Sequence, residues 1–264
     1  MTVPTRLLIC ALAVILAWQP PPAAAAYDDA KTPAALAISG GASKGAYEAG
    51  LNWAIIEITR VSEEIPEMVI GGKARDYELV GVAGTSAGGI NTLLSAMTWC
   101  VRPEAAGGFP NRIDDNIFRE SWLAPDINSL LPAEPGSPPY VAGDASLSRA
   151  SLLDVASMLR ETWNTPGRFR AGCVVPLGVT VTRVKPEQFV IDGIQVGNQR
   201  FYIPFEFRVQ GDGSAEFYFD PKDYPEVEDP AEILMPWPAG APEYSVSDQQ
   251  VVDAVLTTSA FPTG

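Results

Sequence analysis

The sequence predicts an α/β fold on a mainly parallel central sheet. Two short apolar runs each end in a glycine-rich turn followed by a helical pattern, all within the first hundred residues. Neither run alternates apolar with polar residues, as befits parallel strands buried on both faces. The 264 residues, 47% hydrophobic and 9% aromatic, suffice for one sizeable core with insertions.

The first strand is expected at Ala34 to Ser39, ending at Gly40-Gly41. A helix follows from Gly45 to Ile58, with Leu51, Ile55 and Ile58 on one side. Ser62 to Arg75 includes a loop near Pro66 and Gly71-Gly72. Leu79 to Ala83 is the second strand, running into Gly84-Thr85-Ser86-Ala87-Gly88 and an apolar helix to Trp99 that starts at Ala87. A Pro/Gly-rich insertion near 103–145 covers the core with short helices. Leu147 to Trp163 reads as helical.

Cys173 to Val184 reads as a strand entering a turn at Lys185-Pro186. Phe201 to Val209 and Ala215 to Phe219 flank Gly211-Asp212-Gly213, which predicts an antiparallel hairpin. Its aromatics either fill a local core or line an acyl-chain cleft. Pro221 to Pro242 is irregular, and Ser247 with Gln250 forms a capping box before Val251, Val252, Val255 and Leu256 at helical spacing.

Composition narrows the function. The chain carries 18 Lys plus Arg against 32 Asp plus Glu, a formal charge of -14, with no basic cluster for nucleic acid. It contains no histidine. A Ser-His-Asp triad, a Cys-His pair and a His-based metal site are therefore excluded, and a serine nucleophile needs another base, most simply a carboxylate. Residues 1–26 read as a secretory signal peptide: Arg6, then an apolar stretch from Leu7 to Trp18, then Ala24-Ala25-Ala26. Export permits a Cys100–Cys173 bridge, with two buried thiols as the alternative, and their spacing is not that of a metal site.

Gly84-Thr85-Ser86-Ala87-Gly88 matches G-x-S-x-G. In that pattern a serine sits on a sharp strand-to-helix turn, and the glycines at either side relieve the crowding. The helix start behind it favours developing negative charge. Ser39-Gly40-Gly41-Ala42-Ser43-Lys44-Gly45 is the second element. Its glycines miss the dinucleotide spacing, and Lys44 precedes Gly45 where a P-loop needs the reverse order. An oxyanion loop fits: Ser86 attacks an ester carbonyl while amides at Gly40, Gly41 and Ala42 receive the charge. A tight packing turn is the plainer alternative. Lys44 either adds positive potential there or is a solvated lysine at a helix start.

SGGASKGAYEAG at 39–50 and GVAGTSAGG at 81–89 resemble the two opening motifs of the patatin-like phospholipase family. The resemblance implies an exported bacterial lipid acyl hydrolase with a three-layer α/β/α fold, a serine–aspartate dyad and no catalytic histidine. It makes residues 27–264 the catalytic domain, Ser86 the nucleophile, and Gly40, Gly41 and Ala42 the oxyanion run. Lys44, Gly45, Gly84 and Gly88 become supporting positions. Ala42 departs from the pattern, standing where a third glycine is usual.

Thr258-Ser259-Ala260-Phe261-Pro262 is similar to the family block that precedes the dyad aspartate, which lies in an Asp-Gly-Gly or Asp-Gly-Ala turn. The chain is thus expected to be truncated at its C-terminus, with the aspartate beyond Gly264. Asp192-Gly193 is a second candidate, but Ile194 follows where Gly or Ala is usual, and its ordinary reading is a turn joining two strands.

No cofactor or metal is implied. The expected partner is a phospholipid or another acyl-ester lipid, with peripheral membrane contact in the periplasm, at the outer membrane or outside the cell. Trp122, Leu123, Leu130 and Leu131 either touch lipid or form an ordinary packed cap. Two alternatives stay open: a non-catalytic lipid-binding or envelope protein, and a general esterase or thioesterase.

Overall fold

The computed structural model describes residues 31–41, 44–60, 77–124, 150–219 and 245–259. The leader expected at 1–26, the loop expected near Pro66 and Gly71-Gly72, residues 125–145 of the expected insertion, Pro221 to Pro242 and the residues after Ser259 lie outside them. Chain contacts separate residues 1–31 from 32–264, and every element named below belongs to the second unit.

β1 (Thr32–Ile38) leads through the glycine loop into α1 (Gly45–Arg60). β2 (Tyr77–Thr85) turns at Ser86 into α2 (Ala87–Cys100), and a short 3-10 turn (Glu104–Ala106) precedes α3 (Ile117–Leu123). α4 (Ala150–Asn164) is followed by β3 (Val174–Ile191), β4 (Ile194–Val209), β5 (Ala215–Tyr218), β6 (Ser245–Val246) and α5 (Asp248–Ser259). The strands form one six-stranded sheet in chain order.

The expectation of a three-layer fold on a mainly parallel sheet is corrected. Only β1–β2 and β2–β3 pair in parallel, whereas β3–β4, β4–β5 and β5–β6 are antiparallel. The connections explain the change. A parallel pair needs a crossover of a dozen or more residues, and helices supply it twice. After β3 the chain reverses at Asp192-Gly193, with φ 52° and 80°, a tight turn that returns the strand beside itself. The turn expected at Lys185-Pro186 is instead an irregularity within β3, where the register against β4 shifts between Thr182 and Glu187.

α2 is the central beam. Every residue from Ala87 to Cys100 is buried, as expected of a helix that is apolar or small all round. α1 turns Gly45, Ala49, Asn52 and Ile56 inward. Its other side shows Tyr47, Leu51, Ile55 and Ile58 to solvent. The shared face read from Leu51, Ile55 and Ile58 is therefore the outward one.

The antiparallel side is held by rings. Trp163 stands edge-on to Phe217 at 5.1 Å, Phe169 to Phe207 at 5.2 Å, and Phe207 to Phe217 at 5.5 Å, all in the core. Such pairs add about 0.5–1.5 kcal/mol beyond their buried area. Phe205, Phe207, Phe217 and Phe219 thus serve packing rather than a cleft.

A disulfide joins Cys100, at the end of α2, to Cys173, just before β3. It closes a loop with a sequence separation of 73. Chain-entropy reasoning assigns such a loop about 4 kcal/mol of stabilisation.

Candidate active site

β1 and β2 run side by side with Ile38 opposite Gly84, so the turns that follow them emerge at one end of the sheet. After β2 the backbone breaks sharply at Ser86, with φ 55° and ψ -127°. A non-glycine residue there costs about 1–3 kcal/mol and persists only where its surroundings fix it. Ser86 occupies the N-cap position of α2, yet its side chain makes no capping bond. Among the described residues its hydroxyl has no hydrogen-bond partner, and it is half-buried.

Crowding explains the glycines. A methyl group on Gly84 would fall 2.2 Å from the Gly88 carbonyl oxygen, and one on Gly88 would fall 2.5 Å from the carbonyl oxygens of Ile38 and Ser39. Main chain therefore meets main chain across the elbow. The glycine loop is as close: a methyl on Gly40 would lie 2.8 Å from both the Ser86 Cβ and the Thr85 carbonyl oxygen. Gly40 and Ser86, both singled out from sequence, are direct neighbours. Gly41 has φ 155°, a backbone setting that side chains rarely adopt, and its carbonyl accepts the amides of Lys44 at 3.1 Å and Gly45 at 3.0 Å. Ser39 donates to the Glu48 carboxylate at 2.8 Å. Lys44 is exposed, its stem beside Gly41. Ala42 lies outside the described residues.

Further contacts fix the spacing between loop and elbow. A methyl on Gly45 would strike the Trp122 ring at 2.3 Å and approach the Ala87 Cβ at 2.9 Å. Trp122 Nε1 donates to Asn91 Oδ1 at 2.7 Å, and Asn91 Nδ2 donates to the Gly45 carbonyl at 3.2 Å. Trp122 thus braces α1 against α2, while Leu123 is exposed and Leu130 and Leu131 lie outside the described residues. Thr258 on α5 reaches the elbow as well, accepting the Ser86 amide at 2.9 Å. Sequence reading named Thr258 only as the start of a block. Its contact partner lies 172 positions away, so no local pattern could announce it.

Asp192 occupies the exposed turn at the tip of the β3–β4 hairpin. β3 reaches the elbow at Thr180, opposite Thr85, and runs on from there to that tip, some tens of ångströms away. Asp248 accepts Trp163 Nε1 at 3.0 Å and Asn164 Nδ2 at 2.8 Å, fixing α5 against α4. An apolar pocket between α2, α3, α4 and α5 is lined by Ile90, Leu93, Trp122, Val155, Leu159 and Leu256, among others. Ile90 stands one turn beyond Ser86 on α2, and Leu256 is two residues before Thr258. Among the described residues no acidic or cysteine side chains converge as metal ligands would, and no helix is long and apolar enough to cross a membrane.

A strained serine at a strand end, unused by its own helix and backed by a glycine loop, is the arrangement of a nucleophile elbow. No curated protein and no solved structure matches the chain significantly. The family model for patatin-like phospholipase matches residues 36–264, and the chain belongs to that family.

Proposed function

We propose that the protein is an exported serine acyl hydrolase that cleaves carboxylic esters of phospholipids or related acyl lipids. Ser86 attacks the carbonyl carbon, its proton passes to a carboxylate, and a covalent acyl-serine forms and is then hydrolysed by water. The carbonyl oxygen, negative in the tetrahedral intermediate, is received by amides of the 40–42 loop. The observation that carries this reading is how near Gly40 lies to the nucleophile, since a methyl added there would fall 2.8 Å from the Ser86 Cβ. No turn or cap bond among the described residues uses the Gly40 or Gly41 amide. Preoriented donors of this kind are worth about 3–4 kcal/mol each in the transition state.

The apolar pocket beyond Ile90 supports an acyl-chain substrate, because an alkyl chain gains about 0.8 kcal/mol per buried methylene. The Cys100–Cys173 bridge supports an oxidising compartment, in keeping with a leader at 1–26. The base that the family resemblance implies is an aspartate in an Asp-Gly-Gly or Asp-Gly-Ala turn.

Replacing Ser86 by Ala is expected to lower ester turnover at least ~10³-fold while the thermal transition stays within a few degrees of wild type. A fluorophosphonate should label the wild-type chain at Ser86 alone. Turnover retained in Ser86→Ala refutes the nucleophile. A folded wild type that resists labelling and turnover favours the non-catalytic lipid-binding reading.

A further inference from the structure

We propose that Thr258 is a positioning residue for Ser86, its hydroxyl holding the nucleophile's main chain in the strained conformation of the elbow. The inference rests on the reading of Ser86 as nucleophile and adds a second residue to that reaction.

The β2–β3 ladder ends at the pair Thr85–Thr180. Ser86 is the next residue, and there the backbone swings out of the sheet at φ 55°. Its amide leaves the strand without a strand partner. Thr258 fills the gap: its Oγ1 accepts the Ser86 amide at 2.9 Å and donates to the Thr180 carbonyl at 2.5 Å. One hydroxyl therefore bridges the first amide past the ladder and the carbonyl of the ladder's last pair. Thr258 is buried, so removing the hydroxyl leaves both groups short of a partner.

The other polar main-chain group of Ser86 is pinned as well, its carbonyl accepting the Gly89 amide at 2.8 Å. The strained residue is thus clamped from two directions, by its own helix and by α5. Gly89 makes room for the second clamp, since a methyl there would fall 2.3 Å from the Thr258 Cγ2. α5 is in turn fixed at its far end by the Ser247–Gln250 box and by Asp248 against Trp163. The Ser86 amide is committed to Thr258 and so adds no donor to those of the glycine loop at Gly40-Gly41. The function of the clasp is to set the angle from which Ser86 Oγ faces that loop.

Thr258→Val keeps the methyl and the shape but lacks the hydroxyl, whereas Thr258→Ser keeps the hydroxyl and lacks the methyl. The full chain is tested with a fluorophosphonate, for the second-order rate of Ser86 labelling, and with p-nitrophenyl butyrate, for kcat and KM. Thr258→Val is expected to lower labelling and kcat about 10- to 100-fold, with KM within about twofold. Thr258→Ser is expected to stay within about threefold of wild type in both. If Thr258→Val fails to fold, Thr258→Ala carries the same expectation with less bulk.

A variant lacking the hydroxyl that labels at the wild-type rate overturns the proposal. So does parallel loss in the Ser variant, which would assign the effect to the methyl. Equal labelling of Ser86→Ala and wild type, or none in wild type, overturns the nucleophile reading and the clasp with it.

Discussion

The two halves of the sheet are built by opposite rules. On the β1–β2–β3 side, backbone meets backbone: Gly40, Gly84 and Gly88 sit where an added methyl would come within 3 Å of a neighbour. On the β3–β6 side the space is filled by large rings, with Trp163, Phe169, Phe205, Phe207 and Phe217 all but fully buried. The difference teaches where tolerance lies. A glycine-spaced contact is set by main-chain geometry and yields nothing to substitution. A ring cluster is a matter of volume and gives way by degrees.

The comparison can be broken at three points. The largest effect is expected at Gly40→Ala, where the new methyl must displace either the Ser86 side chain or the Thr85 carbonyl. Turnover should fall about 10²- to 10³-fold, for a stability cost of only about 1–3 kcal/mol. Ester kinetics alongside chemical denaturation measure both, and wild-type turnover in this variant would deny that the glycine loop works with Ser86. Next is Phe207→Ala on the other side, expected to cost about 3–5 kcal/mol. Its kcat per folded molecule should stay near wild type; a fall matching that of Gly40→Ala would erase the distinction between the halves. The smallest effect is reduction of Cys100–Cys173, expected to lower unfolding free energy by about 2–4 kcal/mol. Denaturant titration with and without dithiothreitol reads it, and turnover at low temperature should survive, because the bridge spans the end of α2 that lies away from the elbow.

The glycine-spaced half was the more legible in sequence. Where main chain must touch main chain only one residue type fits, so Gly84, Ser86 and Gly88 announce their geometry in five letters. The α5 cap was legible for a similar reason: Ser247 and Gln250 bond each other's main-chain amides across three residues, a local event. Strand direction was legible for the parallel β1–β2 pair and for the β4–β5 hairpin around Gly211-Asp212-Gly213, but not for β4 against β3. An apolar run looks the same beside either kind of neighbour, and the Asp192-Gly193 turn was read without its consequence for the sheet. Helical spacing placed Leu51, Ile55 and Ile58 together but could not say which face looked inward. Small residues such as Gly45 and Ala49 take that side because α1 packs closely on α2. Thr258 lay hidden because its partners are 78 and 172 positions distant.

The cystine has a topological result of its own. Any single scission of the backbone between Cys100 and Cys173 yields two pieces that remain one covalent molecule. The amino-terminal piece retains the glycine loop, Ser86 and all of α2, and the carboxy-terminal piece begins within the closed loop and carries β3 onward. A nicked protein would migrate as a single species until a reductant parted it, so this cross-link lets the long connection be cut without separating the serine from the strand that flanks it.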